Sequence, residues 1–276
     1  MNGQVTFIIW RESVEALLVI GILAGWLRHE SASRRAAWFL WGGVVAGLAL
    51  ALLFALTMLG FSGLLSSDAR KMMMTLMVFI AAGLIVQMVM WMRAHGRSLK
   101  RDLEQGLNAA GEQRQWWMVF VLAALAVARE GSETVVFLYG TFAAARDAAL
   151  TGAVASAVLG LFLAIATYGA LQAGGRFLPW RGFFRVSEIM LLLLGCALFT
   201  SGMGSLVGHG LLPYTATLWD SSAVLDDGGR IGGLVAGLTG YRATPDQVTL
   251  AAWIIYWGAV IGLLRLQATR LRLREA

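Results

Sequence analysis

Charged residues are scarce in this chain of 276 residues: they make up 14% of it, whereas hydrophobic residues make up 58%. A typical soluble domain has about 25% charged residues, so this composition excludes an ordinary soluble protein. Proline is also rare, with 3 residues, so little in the sequence would interrupt long helices. Together these shortages predict an all-α, polytopic membrane protein.

Cysteine and histidine are nearly absent. The single cysteine, Cys196, lies in an apolar run, so it forms no intramolecular disulfide and we expect it to be a small core residue. The histidines His29, His95 and His209 all fall outside the apolar runs, which disfavours a membrane di-iron enzyme and a Ser-His hydrolase. No Gly-Lys-Ser/Thr phosphate loop is present, so direct ATP use is not expected. We therefore expect no enzyme.

Seven apolar stretches are long enough to cross a bilayer, because about 20 residues suffice for a helix. They cover residues 5–27, 37–60, 72–92, 117–140, 149–172, 183–206 and 248–267. The first stretch lacks the basic region that opens a signal peptide, so we expect it to be retained as helix 1. Residues 1–276 are predicted to form a single transmembrane domain with seven transmembrane helices.

The basic residues between these stretches predict the topology. Fifteen of them lie in the loops after helices 1, 3 and 5 and in the carboxyl tail, and five lie on the opposite side. The positive-inside rule then places the N-terminus outside and the C-terminus inside. Two loops are long. Residues 93–116 are expected inside, with mixed charge and a candidate amphipathic helix, and residues 207–247 are expected outside, rich in glycine and acidic residues.

Two of the stretches contain charges in the same arrangement. Residues 11–15 read Arg-Glu-Ser-Val-Glu, and residues 129–133 read Arg-Glu-Gly-Ser-Glu. A charge at the centre of a membrane helix costs roughly 2.5–3.5 kcal/mol, whereas a large apolar residue returns only about 0.3–0.6 kcal/mol. Three charges outweigh the apolar gain of one helix, so we expect them to face one another, a bound ion or water inside the protein.

The duplicated motif also indicates an internal repeat. With the predicted topology, helices 1 and 4 run in opposite directions, so helices 1–3 and 4–6 form a 3+3 inverted repeat followed by one further helix. In transporters built this way, ion sites lie near the membrane midplane where the repeats meet. Small residues at helical spacing predict close helix contacts: Gly43 with Gly47, and Gly152 with Ser156 and Gly160.

The motif carboxylates have the spacing of a cation site. Residues three apart share a helix face, so Glu12 points with Glu15, and Glu130 points with Glu133. Four glutamates and two arginines leave a formal charge of −2, which would attract a multivalent cation in competition with protons. Carboxylate oxygens suit hard cations such as Mg, Ca, Mn or ferric iron, and suit Cu(I) poorly. The alternative is a set of structural ion pairs that hold two helices together.

At this point the sequence resembles a known family, the oxidase-linked high-affinity iron permeases, in the bacterial branch of the fungal-type proteins. The resemblance covers essentially the whole chain. Besides the two Arg-Glu-x-x-Glu motifs, it is carried by Met-Trp-Met-Arg at 90–93, Arg-Ser-Leu-Lys at 97–100, Leu-Trp-Asp-Ser-Ser at 218–222 and Gly-Tyr at 240–241. The family motif usually reads Arg-Glu-Gly-x-Glu, and Ser13 replaces that glycine in the first copy, whereas Gly131 retains it in the second.

The resemblance implies a permease that imports iron through the inner (plasma) membrane as a multi-pass protein. The resemblance implies that the motif residues of this chain are metal-handling glutamates and their arginine partners: Glu12, Glu15, Glu130, Glu133, Arg11 and Arg129. Iron is then the transported substrate, and no permanently bound cofactor is expected. The implied partners are an extracytoplasmic protein that oxidises or delivers iron, and the lipid bilayer. Nucleic acid is not expected despite the formal charge of +6, since the basic residues are spread between apolar runs.

Three further residues are candidates for the ion's path. Glu188, near the inner start of helix 6, is an exit ligand or a partner of Arg185. Gln87 in helix 3 lines the path or makes an interhelical hydrogen bond. Asp220 in the outer loop collects cations or is a solvated loop acid.

Two other functions remain open on the sequence. The transported cation could be another metal, such as lead or manganese. Alternatively, the chain could be a non-transporting structural subunit of a membrane assembly, held together by its ion pairs.

Overall fold

The chain is described by a computed structural model for residues 3–29, 34–95, 116–144, 150–172 and 180–275. Within these residues it forms eight α-helices, and the only strand-like pairing is an isolated bridge between Thr217 and Asp246. The helices are α1 Gly3–His29, α2 Arg34–Leu64, α3 Ser67–His95, α4 Trp116–Ala144, α5 Leu150–Gln172, α6 Trp180–Gly208, α7 Arg230–Thr239 and α8 Gln247–Glu275. The all-α prediction is confirmed for the described part of the chain.

Each predicted apolar stretch corresponds to one long helix, and the helices extend beyond the apolar residues at most ends. As a result His29 and His95, which were expected in loops, are the last residues of α1 and α3. The short helix α7 was not predicted, and it lies within residues 207–247, the loop expected on the outer side. It ends at Gly240, whose φ of 74° is left-handed and favours glycine. The amphipathic helix predicted within residues 93–116 falls mostly outside the described residues.

In the part of the chain that the structure describes, five helices are long and apolar enough to cross a membrane, namely α2, α3, α5, α6 and α8. Helices α1 and α4 are as long, with 27 and 29 residues, but each carries the three charges of its motif. Helices α2 and α5 present many exposed large apolar side chains, including Trp38, Leu48 and Phe162. Such surfaces are suited to contact with lipid, as expected of a polytopic membrane protein.

The two motif helices, α1 and α4, pack against each other. Helix α2 covers α4, α5 covers α1, and α3 packs against both α4 and α6. A buried core joins α1, α3, α4, α6 and α8 through side chains such as Ile8, Ile85, Phe137, Leu194 and Tyr256. The motifs are therefore brought together in the interior, where their charges can meet.

Two of these helix pairs approach closely at equivalent positions. A Cβ atom on Gly47 of α2 would lie 2.7 Å from the carbonyl oxygen of Ala124 in α4. A Cβ atom on Gly160 of α5 would lie 2.6 Å from the carbonyl oxygen of Thr6 in α1. Thr6 and Ala124 occupy the same position relative to the first and second motifs. Gly152, also expected to be a contact residue, has open space at its Cβ position.

Gly47→Leu is expected to destabilise the protein by at least about 1–3 kcal/mol, because the new side chain would collide with the backbone of α4. Thermal unfolding of the purified protein in detergent measures this. The matched control is Gly60→Leu in the same helix, where a Cβ atom meets nothing within 4 Å. Equal stability of the two variants would show that the α2–α4 approach is not close in the folded protein.

Candidate metal centre

The first motif is held by a buried arginine. Arg11 is fully buried, at 0% exposure, and its two terminal nitrogens donate to two different glutamates. Nη1 donates to Glu12 Oε1 at 2.5 Å, and Nη2 donates to Glu15 Oε1 at 2.5 Å. A guanidinium can bridge two carboxylates in this way because its donors form a fixed planar fork. The bridge partly neutralises the charges of α1 and fixes both carboxylates.

The second motif has the same sequence spacing but a looser arrangement. Arg129 Nε donates to Glu133 Oε1 at 3.0 Å and lies 3.9 Å from Glu130 Oε1. The Arg129 side chain is 42% exposed, and its guanidinium carbon lies 4.5 Å from the centre of the Trp91 ring. This geometry is a cation–π contact, so α3 takes part in positioning the second motif.

Three motif glutamates converge between α1 and α4. One carboxylate oxygen from each of Glu12, Glu130 and Glu133 lies within 4.8 Å of the others. The Oε2 atom of each of these residues is buried and has no hydrogen-bond partner among the described residues. Buried polar atoms are normally paired, so three unpaired carboxylate oxygens in one group fit a cation site. Oxygens bind Mg²⁺ and Ca²⁺ at about 2.0–2.6 Å, so oxygens with this separation can share one ion.

Glu15 has a different position from the other three. It does not belong to the converging group; its Oε1 is bound by Arg11, and its side chain is 14% exposed. The same Arg11 nitrogen also lies 3.9 Å from Met92 Sδ of α3. The structure thus brings together three of the four predicted glutamates and places the fourth beside them, bound to the Arg11 guanidinium that also binds Glu12.

A cavity of about 270 Å³ lies between α3 and α4, next to the glutamate group. It is lined by Leu84, Gln87, Met88, Trp91, Arg129 and Glu133. Since a water molecule takes up about 30 Å³ of liquid, the cavity has room for several. Gln87, a predicted path residue, is exposed and lies in its wall, and Glu133 joins the cavity to the group.

The other two candidates for the path lie apart from the group. Glu188 accepts hydrogen bonds from Arg93 of α3, so its partner is Arg93 and not Arg185 as the sequence suggested. Asp220 is exposed, and its Oδ1 accepts the backbone N–H of Ser222 at 2.9 Å. Hydrogen bonds from Ser222 hold the pKa of the Asp220 carboxyl below its usual range. Asp220 therefore stabilises a local turn, and its role in collecting cations stays a prediction.

Sequence reasoning gave no role to Trp91, although it lies against Arg129 in the cavity wall. The signal was available, since Trp91 follows Gln87 by four residues and so shares its helix face. The structure also explains why the second motif has a glycine. A Cβ atom on Gly131 would lie 2.5 Å from Ala51 Cβ, so α2 approaches the motif closely at this point.

Known proteins resemble this chain along most of its length. It matches the iron permease FTR1 family over residues 3–275. It is 29% identical over 254 residues to the ferrous iron permease EfeU of Escherichia coli O6:K15:H31, covering 90% of each chain. It is 28% identical over 254 residues to EfeU of Yersinia pestis, covering 90% of this chain and 88% of the relative. These relatives are named as permeases and not as enzymes, and no solved structure matches the chain significantly. The chain therefore belongs to the iron permease FTR1 family.

Proposed function

We propose that this protein imports iron across the inner (plasma) membrane through the carboxylate site between α1 and α4. The observation that carries the proposal is the convergence of Glu12, Glu130 and Glu133, each with an unpaired buried oxygen. Membership of the iron permease family supports iron as the substrate. Iron passes through the site as cargo and is not a resident cofactor.

The chemistry of the group suits a cation that must bind and then leave. Its donors are carboxylate oxygens, which favour hard cations. Arg11 offsets part of the negative charge of α1 through Glu12 and Glu15. Glu12, Glu130 and Glu133 are the proposed direct ligands, and Glu15 is proposed to act with Arg11 in fixing Glu12.

In this proposal α1 and α4 cross the membrane with the five apolar helices, which makes seven spans with the N-terminus outside. Their charges can stay in the bilayer because they are paired and face either the protein interior or the α3–α4 cavity. The inverted repeat is supported by the equivalent close contacts of Gly47 with Ala124 and of Gly160 with Thr6. The ion site then lies where the two repeats meet.

The proposed direction of transport is inward, as the family resemblance implies. Iron is proposed to arrive from the outer side, where segment 207–247 carries acidic residues, and to leave at the inner side. An extracytoplasmic protein that oxidises or delivers iron is the proposed donor, as the family resemblance implies. The Arg93–Glu188 pair lies near the C-terminal end of α3 and the N-terminal end of α6, which are the inner ends in this topology.

The test is uptake of iron-55 by proteoliposomes that contain the purified protein. Wild type is expected to take up iron, and the triple variant Glu12→Gln/Glu130→Gln/Glu133→Gln is expected to take up no more than empty liposomes. Asp68→Asn is the matched control, since it removes a carboxylate that is 92% exposed at the start of α3. Undiminished uptake by the folded triple variant would refute the site.

The same proteoliposomes test the two alternative functions, which are transport of another metal and a structural subunit. Carboxylate oxygens also suit manganese, so unlabelled manganese and lead are added in competition with iron-55. A metal that displaces iron-55 at a lower concentration than unlabelled iron does would be the preferred substrate. A structural subunit would bind no iron after purification and would show no uptake, even as wild type.

A further inference from the structure

The contact between α3 and α4 changes along its length. In the N-terminal half of α3, the helices are tightly packed: a Cβ atom on Gly140 would lie 2.9 Å from Ala81 Cβ. Val78 and Phe137 are buried in the same region, at 1% and 0% exposure. Phe137 lies one helical turn beyond Glu133. Close packing therefore separates the glutamate group from the end of the protein where α3 begins.

In the C-terminal half of α3, the two helices part to form the cavity. Its wall runs along α3 from Leu84 to Trp91, and it reaches Glu133 on α4. Gln87 in this wall is exposed. The cavity thus extends from the glutamate group toward the C-terminal end of α3. The basic loop of residues 93–116 follows this end, so the positive-inside rule makes it the inner end.

Arg129 stands in the same cavity wall, and its surroundings differ from those of Arg11. Arg11 is bound by two glutamates, whereas Arg129 is bound by Glu133 and lies against the ring of Trp91. A free guanidinium in the cavity would repel a passing cation and would compete with it for the carboxylates. The contact with Trp91 keeps this positive charge at the wall.

We infer that the α3–α4 cavity is the route between the iron site and the inner face, and that Trp91 is a positioning residue that holds Arg129 clear of that route. The inference rests on the proposed function and adds to it the side to which the site is connected and a residue that controls the connection. Between α3 and α4, the described arrangement is therefore closely packed toward the start of α3 and open toward its end.

Cysteine labelling tests the route without depending on transport. Gln87→Cys is made in a Cys196→Ser background and treated with a membrane-impermeant maleimide in inside-out and right-side-out vesicles. Labelling is expected in inside-out vesicles, with slower labelling when iron is present. The matched control is Leu125→Cys on α4, which should not react. The Leu125 side chain is 63% exposed and lies in an apolar stretch of the helix. Absence of labelling at position 87, or labelling only from the outer face, would overturn the route.

Kinetics of iron-55 uptake test the role of Trp91. Trp91→Leu is expected to raise KM for iron by about 5–30-fold, the range that corresponds to a cation–π contact, with kcat changed less. Trp91→Phe should keep most of the wild-type KM because it keeps an aromatic face. Trp117→Leu, which removes a 59% exposed tryptophan from α4, is the control.

Different results would refute the role of Trp91 and the proposed iron site. Equal KM values for Trp91→Leu and Trp91→Phe would overturn the role of Trp91 while leaving the iron site in place. Uptake that is insensitive to the three glutamates would instead refute the proposed function, and the labelling result would still report the route.

Discussion

Glutamine in place of Glu12, Glu130 or Glu133 is expected to lower iron uptake by more than about 100-fold, whereas Glu15→Gln should lower it by about 10–100-fold. The first three residues contribute oxygens to one group, each with an unpaired buried Oε2. Glu15 is outside that group and accepts a hydrogen bond from Arg11, so we propose that it acts through the arginine. Loss of an outer-shell partner typically costs about 10–100-fold in metal affinity, and loss of a direct ligand costs more.

Initial rates of iron-55 uptake, normalised to the amount of folded protein, measure how much each of the four glutamine variants loses. Glutamine is chosen because it has nearly the shape of glutamate and removes only the charge. Glu188→Gln serves as a comparison, since Glu188 is paired with Arg93 and lies outside the group. If Glu15→Gln were as damaging as Glu130→Gln, the four glutamates would act as equal ligands, and the three-membered site would be wrong.

Arg11→Met is expected to destabilise the protein by about 3–5 kcal/mol, because it leaves the buried Glu12 carboxylate and the partly buried Glu15 carboxylate without their partner. Arg11 is fully buried and bonds to Glu12 and Glu15 at 2.5 Å each. Arg129→Met should cost at most about 1 kcal/mol, since the Arg129 side chain is 42% exposed and its ion pairs are screened. Thermal unfolding in detergent compares the two variants directly.

A rescue variant separates charge from packing in this result. Arg11→Met combined with Glu12→Gln and Glu15→Gln removes all three charges of the first motif, so stability should recover most of the loss while iron uptake stays abolished. Arg11→Lys should lie between wild type and Arg11→Met because an ammonium lacks the planar fork that reaches both glutamates. Equal stability of Arg11→Met and Arg129→Met would show that the two motifs have the same surroundings in the folded protein.

Much of the candidate site could be predicted from the sequence, because charges in apolar runs are conspicuous and helical spacing fixes which of them share a face. That reasoning placed all four glutamates on two helices and marked Gln87 as a path residue. It could not separate Glu15 from the other three. Spacing along one helix does not say how α1 and α4 are rotated against each other, and that rotation decides which oxygens meet.

The partner of Glu188 was beyond sequence reasoning for a similar reason. Arg185 was the natural choice because it is one helical turn away, but Arg93 of a neighbouring helix makes the bond. The short helix α7 was missed because three of its ten residues are glycine, and glycine disfavours helices. It is stabilised by packing against α6 and α1, and Gln4 donates a hydrogen bond to the carbonyl oxygen of Gly237.

The sequence by itself determined the long helices, the membrane character and the positions of the two charged motifs. These properties depend on residues close together in the chain, on hydropathy and on helical spacing. Only the tertiary structure decided that the two motifs differ. Arg11 is fully enclosed, whereas Arg129 stands at a cavity beside Trp91. The two motifs have the same charged residues at the same spacing, so their difference comes from the neighbours that pack around each one.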